Sequence, residues 1–139
     1  MLEALEAVRW AVNALRNDAP LAAAVDGRVH LEALPAGSQL PAVVVSQYSS
    51  RDVNTIGGQR VLAVVQLLVK VIGRAQELPT LASIADRVDT VLQGASAELV
   101  SVTVHGCVRS EQVFYLEEVQ AGGYAHIGGI YQVIVRERR

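Results

Sequence analysis

The chain has 139 residues, of which 51% are hydrophobic but only 4% aromatic, so a core must be built from aliphatic side chains. A net charge of −2 gives no general attraction to nucleic acid or to acidic membranes, and we expect no sequence-specific nucleic acid and no membrane among its partners. The single cysteine excludes an internal disulfide and fits a reducing compartment. The N-terminus carries Glu3 and Glu6 where a signal peptide would carry positive charge, and the longest apolar run, Val61 to Ile72, is too short to span a bilayer. We therefore expect a protein that acts where it is made.

Leu2 to Asn17 predicts a first helix with an apolar seam at Leu5, Val8, Val12 and Leu15. Trp10 falls roughly opposite that seam. It has two interpretations: a side chain half-buried under a neighbouring loop, or an anchor in an interface, where tryptophan is enriched.

The segment from Arg60 to Gly94 predicts a long buried strand followed by an amphipathic helix. One face of the strand from Val61 to Ile72 is entirely apolar, and the other is interrupted only by Gln66 and Lys70. The second face must be covered within the monomer or must meet another subunit. The helix begins near Pro79, ends at Gly94 and is expected to lie on the apolar face.

Further strands are predicted at 28–31, 42–48, 98–108, 113–119 and 124–136, with a polar break at 109–112 and a turn at 120–123. Residues 48–60 predict a projecting hairpin loop, and residues 136–139 a flexible tail. The order of elements favours a single α+β domain over residues 1–139. We expect a mixed or mainly antiparallel sheet of about four to five strands, with two main helices packed on one face.

No group of residues forms a convincing catalytic or metal site. In the predicted strand, His105 and Cys107 lie on one polar face, but a structural zinc site needs four ligands and no second pair exists. Nothing local supports Cys107 as a nucleophile, and the glycine pairs match no phosphate-binding pattern. Glu117 and Glu118 are adjacent on a strand and so face opposite sides. We expect no enzyme activity, no metal and no cofactor.

The order and spacing of several segments resemble the tail terminators, the tail-completion proteins of long-tailed bacteriophages and prophages. The resemblance covers nearly the whole chain and is carried by DAPLAAAVDGRVHLEALP, LPAVVVSQ, LASIADRVDTVLQG, VTVHGCVRSEQ and YAHIGGIYQVIVRER. As in that family, a short helix with small residues (Leu21 to Val25) precedes Gly27-Arg28-Val29, and Pro41 introduces the next strand.

The resemblance implies a structural virion protein of the tail or neck, assembled in the bacterial host cytoplasm. Its copies would form a ring, typically a hexamer, that caps the tail tube and meets the head-tail connector. The residues expected at interfaces are Trp10, Arg51, Asp52, Val53, Asn54, Thr55, Ile56, Arg136 and Arg138. Two alternatives remain: another neck, connector or minor tail-assembly protein, and a small ligand-binding or enzymatic α+β domain with a closed pocket around His105 and Cys107.

Overall fold

The computed structural model describes residues 2–119 and 122–138. In that part of the chain the helices are α1 (Glu3–Arg16), α2 (Ala19–Val25) and α3 (Leu78–Leu92), and a 3-10 turn at Ala75–Glu77 precedes α3. The strands are β1 (Val29–Leu31), β2 (Ala42–Asn54), β3 (Arg60–Arg74), β4 (Ala97–Glu98), β5 (Val102–Val119) and β6 (Gly122–Glu137). No helix in the described ranges combines the length and the apolar character that crossing a membrane requires.

The strands form one sheet in the order β1-β2-β3-β6-β5-β4. The pair β1–β2 is parallel and every other pair is antiparallel. The predicted α+β class and mixed sheet are confirmed, but the described residues form six strands rather than four to five. Strand β1, with 3 residues, matches the strand predicted at 28–31. The strands predicted at 98–108 and 113–119 are joined in the single strand β5, and β4 was not predicted as a separate strand. A strand of 2 residues such as β4 is too short to leave a periodic pattern in the sequence.

The helices cover one face of the sheet, which we call the covered face. Along β3 the side chains that point to this face are 0–1% exposed, as the predicted apolar face required: Ala63, Val65, Leu67, Val69 and Val71. They form one hydrophobic cluster with side chains of all three helices and with Val43, Val45, Val133 and Val135 of the neighbouring strands. The core is therefore a single aliphatic layer between helices and sheet.

Helix α1 buries a wider side than its leucines and valines predict. Val8, Val12 and Leu15 of the predicted apolar side are 0–3% exposed, and further residues are buried as well. The alanines Ala7 and Ala11 are fully buried, and Trp10 is only 8% exposed, whereas Leu5 is 37% exposed. Two alanines one turn apart let the helix backbone approach the sheet closely, which draws Trp10 inward at the edge of the contact. Trp10 is thus buried within its own chain, although it lies roughly opposite the predicted apolar side.

Helix α2, predicted only as a short turn from Leu21 to Val25, begins at a strong cap. The Asp18 carboxylate accepts a hydrogen bond from the backbone N–H of Leu21 (3.1 Å) and two from the Arg87 guanidinium of α3 (2.7 and 2.8 Å). The hydrogen bond from Arg87 is the main cause that lowers the pKa of Asp18, and burial opposes it. This one carboxylate thereby fastens α2 to α3.

The predicted hairpin loop at 48–60 is shorter than expected. Residues 49–54 belong to β2 and pair with β3 as far as Asn54 and Arg60, so the connection spans only residues 55–59. Their polar sequence concealed the strand because both faces are solvated at this end. What projects is a paired two-stranded hairpin.

Strands β5 and β6 form a second long hairpin, and β5 runs through the predicted break at 109–112. The ladder has a register shift between Val104 and Gly106 and another between Arg109 and Glu111. Each such β-bulge inserts one residue and reverses the alternation of side chains beyond it. Of the predicted turn at 120–123, residues 120 and 121 lie outside the described residues.

The glycine pair of β6 lies across from the second bulge, where strands approach very closely. A Cβ atom at Gly128 would collide with the backbone carbonyl oxygen of Val69, and one at Gly129 would meet the carbonyl oxygen of Glu111 at 2.8 Å. Both obstacles are backbone atoms and cannot turn aside. Only glycine fits this part of the sheet.

We expect Gly128→Ala to lower the free energy of unfolding by about 2–3 kcal/mol, the cost of overpacking a rigid site. Urea denaturation followed by circular dichroism measures this loss. Gly106→Ala is the matched control, because a Cβ atom at Gly106 would meet nothing within 4 Å. Equal stability of the two variants would contradict the close approach at Gly128.

We expect the Asp18 carboxylate to make stability depend on pH. Because its pKa is lower in the folded protein, its contribution is present above about pH 4, the pKa of an unfolded aspartate, and is lost as the pH falls through the folded value. Asp18→Asn should therefore be less stable than the wild type at pH 7, and the difference should disappear toward pH 2. Asp26→Asn, at a carboxylate that is 91% exposed, is the control. A difference for Asp18→Asn that does not change with pH would contradict the prediction.

Candidate assembly surfaces

The face of the sheet opposite the helices, which we call the open face, is apolar and only half-buried. Leu62, Val64 and Leu68 of β3 and Ile134 of β6 line it, each with an intermediate exposure. Gln66 and Lys70 are the polar residues of β3 that the sequence placed here. A contiguous apolar surface of this kind on a folded chain is typical of an interaction site.

One end of the open face is crossed by the segment 32–40, which leaves a cleft of about 480 Å³ against β3 and β6. At its floor His126 Nε2 lies 2.9 Å from Glu117 Oε1, and the His126 ring stacks on Tyr115 at 4.4 Å between centroids. Lys70 Nζ donates to the Tyr115 hydroxyl at 3.0 Å. These polar side chains come from the three strands β3, β5 and β6 and bond mainly to one another, so they hold the strands together.

The predicted interface segment 51–56 lies at the end of the β2–β3 hairpin. The side chain of Ile56 is fully exposed, and Arg51 is exposed with no ion-pair partner among the described residues. Asp52 lies 3.7 Å from the Arg60 guanidinium, and Thr55 Oγ1 accepts from the backbone N–H of Gln59. Val53 and Asn54 complete the strand, with Val53 partly buried. The tip is thus ordered by its own contacts and presents Ile56 outward.

The C-terminal arginines lie at the same end of the sheet as this hairpin tip. Arg136 is exposed and lines a cleft of about 320 Å³ together with Glu3 and Arg60. Arg138 donates from its backbone N–H to Ser101 O (3.0 Å) and from Nη1 to Leu99 O (2.7 Å). Of the segment predicted as a flexible tail, residues 136 and 137 thus continue β6 and Arg138 is bonded to the loop before β5, while Arg139 lies outside the described residues.

Two outcomes concern residues that sequence reasoning placed differently or missed. Trp10 is almost wholly buried within its own chain. Only 8% of its surface is exposed and could contact another subunit, as its expected interface role requires. The β5 tip, which was not singled out, exposes Phe114 (55%), Tyr115 (43%) and Leu116 (57%). The run VFYL between charged residues was the signal that could have marked it.

His105 and Cys107 do not form a joint site. The bulge between Val104 and Gly106 turns Cys107 to the covered face, where it is 1% exposed, while His105 is exposed on the outside. Burial raises the pKa of the Cys107 thiol to about 12, which leaves almost no thiolate at neutral pH. The described residues contain no group of three or more His, Cys, Asp or Glu side chains placed to hold a metal ion.

Helix α3 is tied to the sheet beside Cys107 through a single carboxylate. The Tyr131 hydroxyl donates to Asp89 Oδ1 at 2.8 Å, and Arg109 Nη1 lies 3.6 Å from the same oxygen. Burial is the main cause that raises the pKa of Tyr131, followed by its bond to Asp89. These contacts fasten α3 to β5 and β6.

Comparisons with known proteins agree with this structural character. One solved structure, described as "Virion of native gene transfer agent (GTA) particle", matches with a TM-score of 0.71 and 24% identity, covering 98% of this chain and 99% of that one. At this identity the match shows a shared fold. No curated protein sequence matches. The profile of the family described as "Tail completion protein gp17" matches residues 12–120, and the chain belongs to that family.

Proposed function

We propose that this protein is a tail terminator, whose copies form a ring on the end of the finished tail tube. The ring stops elongation of the tube and provides the surface that joins the head connector. The observation that carries the proposal is the half-exposed apolar open face, which the helices of its own chain leave uncovered. Family membership supports a place in the virion tail or neck.

The distribution of exposed apolar side chains supports several interfaces on each copy. The hairpin tip presents Ile56, the β5 tip presents Phe114 and Leu116, and the open face lies between the two tips. A subunit of a ring needs two different lateral surfaces and at least one axial surface. Three separate apolar regions fit that requirement better than they fit a monomeric binding domain with one pocket.

An enzymatic function has little support from the described residues. The only cysteine is buried with a raised pKa, and the His126–Glu117 pair is held by stacking on Tyr115. We infer a structural protein without catalysis, assembled in the bacterial host cytoplasm as a ring of six copies. The copy number comes from the resemblance to tail terminators.

The test is tube growth in the presence of this protein. We expect tubes polymerised from purified tail-tube protein to stop elongating when it is added, with a ring visible at one end by electron microscopy. Unaltered tube lengths, together with binding to the head connector alone, would favour another neck protein instead.

We expect Ile56→Asp to weaken tube capping at least tenfold in protein concentration, because it puts a charge on the fully exposed apolar tip. Ser83→Asp is the control, since it puts the same charge on the exposed side of α3, outside both hairpin tips. Both variants should keep the wild-type melting temperature. If Ile56→Asp capped tubes as well as the wild type, the hairpin tip would not be part of the interface with the tube.

A further inference from the structure

Each lateral edge of the sheet ends in a stretch of strand with no outer neighbour among the described residues. On the β2 side, β1 pairs only with Val43–Val45. Glu32 occupies the next part of the outer edge of β2. Its N–H donates to Val45 O (2.7 Å), and its carboxylate accepts from the N–H of Gln47 (3.1 Å). Beyond this point the outer edge of residues 48–54 is open.

The β5 side repeats this arrangement. Strand β4 pairs with Thr103 and Val104, the N–H of Gly94 donates to Cys107 O (2.7 Å), and Gln93 Oε1 accepts from the N–H of Arg109 (2.8 Å). The outer edge of residues 110–118 has no such partner in the described chain. It also carries the exposed Phe114, Tyr115 and Leu116.

An open strand edge is a site for pairing with another chain, and soluble proteins usually protect it with proline, charged side chains, a β-bulge or a very short strand. Neither YSSRDVN (48–54) nor SEQVFYLEE (110–118) contains a proline or a lysine. Each segment spans about 20–30 Å at the usual rise of a strand. Both segments carry charged side chains and adjoin a β-bulge, but they are long and free of proline, so their backbone groups can still pair with another chain.

The two open edges are complementary in direction. Because β2, β3, β6 and β5 are antiparallel in succession, β2 and β5 run in opposite directions. A rotation about an axis along the strands preserves their direction. The β5 edge of one copy would therefore extend the β2 edge of the next as an antiparallel ladder, which is the pairing already used between the long strands.

The two edges are also offset along the strands. Arg51 is level with Val64 of β3, then with Ile134 of β6, and finally with Gly106 of β5. The open part of β5 begins only at residue 110, further toward the other end. Pairing the open segments displaces each copy relative to the previous one, and such a stagger is what a closed, tilted arrangement of strands requires.

Charge on the open face favours the same contact. Arg51 is exposed without an ion-pair partner among the described residues, and its register with Val64 places it on the open face. Glu111 is exposed too, and its register with Ile130 places it on that face at the other edge. An exposed positive charge at one edge and an exposed negative charge at the other favour contact between the edges of two copies.

We propose that residues 48–54 of one copy pair head to tail with residues 110–118 of the next copy, joining the sheets of neighbouring subunits. This inference rests on the proposed ring and names its lateral contact. The contact uses two different surfaces, so it continues from copy to copy rather than stopping at a dimer, and it gives a ring where the rotation closes.

Cross-linking of two single-cysteine variants tests the pairing. Ser50→Cys and Gln112→Cys put thiols on the same side of the two open edges, since their partners Val65 and Gly129 share the covered face. The variants, one of them tagged, are mixed under conditions in which rings form, alone or on tubes, and treated with a bismaleimide that spans about 8 Å, the reach of diagonal neighbours. The native Cys107 is 1% exposed and stays outside the reaction.

We expect tagged–untagged dimers in the mixture, at least tenfold more than with either variant alone. A mixture of Gln112→Cys with Ser83→Cys, on the exposed side of α3, is the control and should give none. Rings without mixed dimers would overturn the strand pairing and leave the ring intact. Dimers formed by one variant alone would show a two-fold contact and overturn it as well. Absence of rings, even with tube protein present, would overturn the proposed function together with this contact.

Discussion

The fold depends on β3, which has a long strand paired along each of its edges. Its partners β2 and β6 are registered with it from Ala63 to Ile72, so its backbone is satisfied inside the sheet. A strand in this position exposes its side chains only above and below the sheet. Since nearly all of them are aliphatic, both faces need cover, and the chain has helices for one face alone.

The covered face is fastened by a few specific contacts in addition to burial. The Asp18–Arg87 pair holds α2 to α3, and the Tyr131–Asp89 bond holds α3 to β6. Gly73 lets Leu81 of α3 lie against the β3 backbone, where a Cβ atom would collide with it. The helix layer is therefore fixed relative to the sheet, and a fixed scaffold is what gives the two hairpin tips a defined position.

The sequence predicted well those elements whose side chains follow one uninterrupted period. The alternation in β3 and the helical stripe of α3 identified both elements and the face they share. Prediction was incomplete for α1, where Ala7 and Trp10 are buried in addition to the predicted apolar side while Leu5 is 37% exposed. The prediction of the face on which Cys107 lies also failed. A β-bulge reverses the alternation of side chains along the strand, and no residue type in the sequence identifies the bulge. The exposed VFYL run was missed because the sequence of one strand does not tell whether that strand lies at the edge of the sheet.

The bulges connect these failures to assembly. In β2 the register shift lies between Gln47 and Ser49, directly after the cover from Glu32 ends. In β5 a shift lies between Arg109 and Glu111, directly after the cover from Gln93 ends. A bulge bends a strand and increases its twist, so each long strand changes direction where it leaves its own domain. The body of the sheet can then satisfy one hydrophobic core, while in the proposed ring the tips follow the geometry of the contact with neighbouring copies. These two register shifts therefore coincide with the limits of the covered edges, which in that proposal separate the part that folds alone from the part that pairs with other copies.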